Sequence, residues 1–111
     1  MTINTRTVDR ATILDLHGPF KAGEADQVFR NSVADALSAG TANLVVNLAD
    51  VSFLDSSGVG SLVRTFSILK EKGGEFRVFG ATKQVAQVLR MVRLDKVLGL
   101  AEDEAAALAS F

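Results

Sequence analysis

A chain of 111 residues with a hydrophobic share of 48% and a formal charge of −1 has the length and apolar content of one packed domain, and no basic excess with which to hold a nucleic-acid backbone. It contains no cysteine, which excludes disulfides, thiolate metal sites and cysteine nucleophiles and fits a reducing compartment. No apolar run approaches the roughly 20 residues of a membrane span, and Met1 to Arg6 lack the apolar stretch of a secretory signal, so a soluble cytoplasmic protein with no membrane span is expected.

The elements follow in chain order. Ile3 to Val8 and Ala11 to His17 read as two short strands, with Asp9-Arg10 as a hairpin turn between them. Thr12, Leu14 and Leu16 alternate as a half-buried strand requires, and Gly18-Pro19 breaks the second strand. From Gly23 to Ala39 the period becomes helical: Ala25, Val28, Phe29, Val33, Ala36 and Leu37 share one face, and Gly40 stops the helix. Leu44 to Leu48 is nearly continuous in apolar residues, which suits a central strand covered on both faces. A second helix is predicted over about Gly58 to Lys72, with Val59, Leu62, Val63, Phe66 and Leu69 buried and Ser61, Arg64 and Lys72 outward. Gly73-Gly74 ends it. Phe76 to Phe79 is a further strand, Thr82 can cap a third helix carrying Val85, Val88, Leu89 and Val92, and Val97-Leu98 suits a brief edge strand. Glu102 to Phe111 reads as a short alanine-rich helix with acidic residues at its start.

Strand-helix-strand units imply right-handed crossovers and parallel neighbours, while the first hairpin adds an antiparallel edge. The expected fold class is therefore α/β, with a mixed sheet of four to five strands and about four helices in a single domain over residues 1–111. No repeat, low-complexity tract or linker interrupts it.

One segment carries candidate chemistry. Asp55-Ser56-Ser57-Gly58-Val59-Gly60 lies between a buried strand and an amphipathic helix, where open α/β sheets place functional groups. A helix start offers unpaired backbone N–H groups and a positive dipole end, so a phosphate formed on a serine there is tolerated. Asp55 can orient a serine hydroxyl, and Gly58 and Gly60 leave room for a partner to approach. On local chemistry alone, helix capping explains an Asp-Ser-Ser-Gly more often than regulation does. Other constellations are weaker. His17, Ser57 and Asp55 could form a hydrolytic triad only formally, because Asp55 stands where a Gly-x-Ser-x-Gly elbow needs its first glycine. Val63 occupies the third glycine position of a dinucleotide fingerprint, and no Walker pattern is present. The carboxylates are scattered, so no metal site, cofactor or enzymatic activity is inferred.

Three blocks of the sequence resemble the STAS family of anti-sigma factor antagonists: Leu44-Val45-Val46-Asn47-Leu48, Val51 through Gly60, and Gly73-Gly74 before a strand. Val85 to Leu89 and Leu94-Asp95-Lys96-Val97 extend the likeness over almost the whole chain. The resemblance implies a SpoIIAA-like fold and a phosphorylation switch at the second serine of the pair, Ser57, supported by Asp55, Ser56 and Gly58. It implies three roles: an anti-sigma factor that is also a serine protein kinase, release of a sigma factor when Ser57 is unmodified, and a PP2C-type phosphatase that restores that form. Phe20, Lys21, Ser61 and Arg64, around the serine loop, are the expected partner-binding residues. Two positions depart from the family pattern. Gly18-Pro19-Phe20-Lys21 places a lysine where the family usually has an aspartate associated with partner binding and phosphorylation, and Arg93 stands where a glycine is common. The alternative is a STAS module that is not phosphorylated and serves a transporter or a sensory assembly through the same helix face.

Overall fold

The computed structural model describes residues 1–111. Strands β1 (Thr2–Val8) and β2 (Ala11–His17) form the antiparallel hairpin, turned at Asp9, whose φ of 54° is a conformation that aspartate tolerates better than most residues. Helix α1 (Glu24–Ser38) then crosses to β3 (Asn43–Asp50), and α2 (Ser56–Glu71) crosses to β4 (Glu75–Phe79). The strands lie in the order β1-β2-β3-β4, and both crossovers join parallel neighbours. Helices α3 (Lys83–Met91) and α4 (Glu104–Ala109) complete the chain.

The main core lies on one face of this mixed sheet. Leu14 and Leu16, Leu44, Val46 and Leu48, and Phe76 and Val78 are all buried there, two residues apart on each strand as the pleat requires. Above them sit Ala25, Phe29, Val33 and Ala36 of α1, Leu62 and Leu69 of α2, and Val85 and Leu89 of α3. The second face holds a smaller cluster of Ala11, Ile13, Val45 and Phe79 with Ala107 of α4. Leu44, Val45 and Val46 are all fully buried, as a strand covered on both faces demands.

Three expectations change. The buried side of α2 is rotated from the predicted stripe: Leu62 and Leu69 are fully buried, Val59 and Phe66 only partly, and Val63 lies outside the core cluster, while Ser61 and Thr65 are buried. The reason is that α2 packs sideways on α1 as well as down onto the sheet, so its inward arc includes Ser61. No edge strand forms at Val97-Leu98. Leu98 instead drops into the main core and Val97 stays exposed in a turn, while Ala101 makes an isolated parallel bridge to Phe79. Helix α4 starts later than predicted, because Asp103 caps it by accepting the Ala106 N–H at 2.9 Å.

Candidate functional site

The site is built where two connections run side by side at the C-terminal ends of β2 and β3. Phe20 N–H donates to the Phe53 carbonyl at 2.8 Å, Asp55 N–H donates to the Phe20 carbonyl at 3.3 Å, and Phe20 and Leu54 form a parallel bridge. The β2–α1 connection thus continues the parallel pairing past the end of the strands and presses on the start of α2. Phe20 is the wedge: it is fully buried, with its ring 4.9 Å from that of Phe29.

Helix α2 begins at Ser56, two residues before the predicted start, because Asp55 and not a serine is its cap. The Asp55 carboxylate accepts the Gly58 N–H at 2.9 Å and, through its other oxygen, the Ala22 N–H at 3.1 Å. One side chain therefore caps α2 and ties the β2–α1 connection to it. These backbone donors, Gly58 first, hold the Asp55 carboxyl below its ordinary pKa. With both oxygens engaged by backbone, Asp55 orients no serine hydroxyl, contrary to the expectation from sequence.

Ser56 and Ser57 are consequently the first two helical residues. Ser56 is exposed and Ser57 partly exposed. Gly60 has open space around it, whereas Gly58 is buried, and its missing side chain serves packing rather than partner access. A Cβ there would lie 2.6 Å from the Phe20 carbonyl oxygen and 2.5 Å from a Leu54 methyl. Only glycine lets α2 sit this close to the neighbouring connection.

The expected partner-binding residues divide. Lys21 and Arg64 are exposed and take part in none of the chain's ion pairs. Arg64 lines a shallow groove of about 210 Å³ between α1 and α2, with Phe29, Val33 and Ile68 among its walls. Phe20 and Ser61 are corrections: both are buried and present no side chain to a partner. Ser61, one turn after Ser57, faces α1 and donates its hydroxyl to Asp26, which also pairs with Arg30 at 3.1 Å. Neither the Asp26–Ser61 contact nor the Ala22–Asp55 bond was read from sequence. The signal for the cap was present, since an Asp three residues before an N–H that needs a partner is an ordinary helix start. No triad assembles: the His17 ring pairs with Asp50 at 2.7 Å, not with Asp55.

The family model described as STAS domain matches residues 2–107, nearly the whole of this four-stranded fold. The chain belongs to the STAS domain family. Among curated relatives, it is 34% identical over 83 residues to the anti-sigma-B factor antagonist of Bacillus subtilis, covering 71% of this chain and 70% of that protein. To the anti-sigma F factor antagonist of Paenibacillus polymyxa it is 32% identical over 66 residues, covering 60% of this chain and 56% of that protein. The chain thus matches little more than half the length of the latter. Among solved structures, it superposes on the anti-sigma factor antagonist SpoIIAA in its unphosphorylated form with a TM-score of 0.79, at 21% identity over 93% of this chain and 89% of that one. The phosphorylated form of SpoIIAA, from Bacillus, gives a TM-score of 0.75 at 19% identity over 98% of this chain and 97% of that one. No helix of the chain is long and apolar enough to cross a membrane.

Proposed function

We propose that this chain is an anti-sigma factor antagonist, a protein-binding module switched by phosphorylation of Ser57. The observation that carries the reading is the placement of Ser57 in the first turn of α2, next to a cap that already satisfies the Gly58 N–H and beside the open surface at Gly60. Unmodified, the face around Ser56, Ser57, Lys21 and Arg64 binds an anti-sigma factor that doubles as a serine kinase, and the sigma factor is released. Phosphorylation adds about −1.5 to −2 charges at neutral pH. The helix start accommodates that charge, so the fold persists, while a partner surface shaped around a neutral hydroxyl loses affinity through repulsion and desolvation. A PP2C-type phosphatase resets the module, in the cytoplasm where sigma factors act. The relatives' names support this reading, as does the fold shared with SpoIIAA in both its forms.

Intact-mass analysis after incubation with the cognate anti-sigma kinase and ATP tests it. One phosphate is expected on wild type and on Ser56→Ala, and none on Ser57→Ala. Ser57→Ala should hold the anti-sigma factor constitutively, and Ser57→Asp should weaken binding at least tenfold, or about 1.4 kcal/mol. Peptide mapping that places the phosphate on Ser56, or finds none with the genuine kinase, would overturn the assignment.

A further inference from the structure

We propose that Lys21 is a built-in counter-charge for a phosphate on Ser57, so that the modified state of this switch is closed by an ion pair from the β2–α1 connection. The inference rests on the reading of Ser57 as the modified residue and adds how the charge is received. The backbone on both sides of Lys21 is fixed against the first turn of α2. Before it, the Phe20 carbonyl accepts the Asp55 N–H and lies so close to Gly58 that no Cβ fits between them. After it, the Ala22 N–H donates to the Asp55 carboxylate. Four residues further on, Asp26 holds α1 to α2 through the buried Ser61, one turn below Ser57. The connection is therefore pinned to α2 at both ends, and residue 21 cannot drift from the helix start.

The charges around that point leave Lys21 without an existing partner. Asp55 spends both oxygens on backbone N–H groups, Asp26 is taken by Ser61 and Arg30, and Asp50 pairs with His17. Lys21 is exposed and unpaired, on a flexible four-carbon stem that can swing toward a new anion. Asp55 stays ionised beside Ser57, so a phosphate there adds a dianion to an existing negative charge, and Lys21 is the cation on the adjoining connection that has no ion-pair partner. The helix start and Lys21 then act together on it, and both favour the dianion over the monoanion.

The test needs no kinase. Phosphoserine is installed at position 57 during translation, and the phosphate is titrated by phosphorus NMR in wild type, Lys21→Met and Lys72→Met. Lys72 stands at the far end of α2 and serves as the control. Lys21→Met should make the second phosphate dissociation about two- to fivefold less favourable, the range of an exposed ion pair, and added salt should shrink the difference. Lys72→Met should match wild type. Equal dissociation constants in Lys21→Met and wild type overturn the pairing, whatever the kinase does. A kinase that leaves Ser57 unmodified overturns the proposed switch and leaves this titration intact, so the two failures are told apart.

Discussion

The two faces of the sheet are built by different rules. The face under α1, α2 and α3 is mainly apolar: Leu14, Leu16, Leu44, Val46, Leu48, Phe76 and Val78 on its strands are 0–1% exposed. The opposite face mixes a small apolar cluster with a polar ladder and has only α4, six residues long, laid over it. There Asp15 accepts hydrogen bonds from Arg6 at 2.7 and 3.1 Å and from the Asn47 amide at 2.8 Å, and Arg6 reaches on to Glu104 of α4. The connections proposed to carry the switch leave the C-terminal ends of β2 and β3 and lead into α1 and α2, the helices packed on the apolar face, and the contrast bears on that placement. A serine that gains a double negative charge must sit on a helix whose position is fixed by packing, because packing does not respond to charge. The polar face is held by ionisable groups, and its strength depends on pH. A charge switch placed there would disturb its own support.

The sharpest way to break this contrast is to cut each face at its centre. Phe29→Ala on the apolar face removes a fully buried ring that also backs Phe20 beneath the serine loop. It should cost about 3–5 kcal/mol in urea unfolding. Phe66, expected from sequence to be fully buried, lies partly open with the Lys70 ammonium 5.8 Å above its ring, so its truncation should cost clearly less. A Phe29→Ala protein as stable as wild type would mean that the apolar face does not carry the fold.

On the polar face the smaller and pH-dependent effect is expected. The bond from Arg6, more than the one from Asn47, pushes the Asp15 carboxyl below its ordinary value. The sign follows from that depression. The contribution is fully present above the unfolded-state pKa of about 3.9 and is lost as pH falls through the lower folded-state value. Asp15→Asn keeps the shape and removes the charge. It should cost about 1–3 kcal/mol at pH 7, and the gap to wild type should close as pH falls below about 4. Unfolding curves that stay parallel from pH 7 to pH 2 would show that Asp15 acts by shape alone.

The same contrast marks what the sequence could and could not disclose. A near-continuous apolar run marked β3 as covered on both faces, and helical spacing of apolar residues placed the core side of α1, because burial leaves a trace in the pattern. Asp15 left none: it interrupts the run Ile13-Leu14-Asp15-Leu16 and reads as a solvent residue until the hairpin brings Arg6 alongside the neighbouring position. Ser61 was read as outward for the same reason, since a serine announces polarity and the Asp26 that satisfies it lies 35 residues away. The serine pair was legible as a candidate site through the strand and helix that flank it and through family resemblance. Its mechanics were not, because Asp55 tying two loops together depends on the approach of Phe20 and Ala22, a tertiary fact. The phantom edge strand at Val97-Leu98 was a wrong period reading: two adjacent apolar residues were split by a turn into one buried and one exposed.

The segment that passes from the apolar face to the polar one holds the smallest effect, and it runs in the stabilising direction. The three helices over the apolar face end alike. In α1, Gly40 N–H bonds to the Leu37 carbonyl and Thr41 N–H to that of Ala36; in α2, Gly73 bonds to Lys70 and Gly74 to Leu69; in α3, Arg93 bonds to Arg90 and Leu94 to Leu89. This double bond pattern requires a left-handed residue just past the helix. Gly40 and Gly73 supply it with φ of 90° and 78°, but α3 uses Arg93 at φ 60°. A side chain there crowds its own carbonyl, at a cost of about 1 kcal/mol that glycine avoids. Arg93 is exposed and makes no ion pair, so its replacement loses no contact to offset the gain. Glycine also loosens the unfolded chain, which takes back part of the benefit. Arg93→Gly should therefore stabilise the protein by about 0.5–1 kcal/mol, a rise of a few degrees in Tm. Arg93→Ala keeps the Cβ and removes only the charge, and it should leave Tm where it is or lower it. If Arg93→Ala raises Tm as much as Arg93→Gly, the gain comes from charge and the left-handed strain contributes nothing.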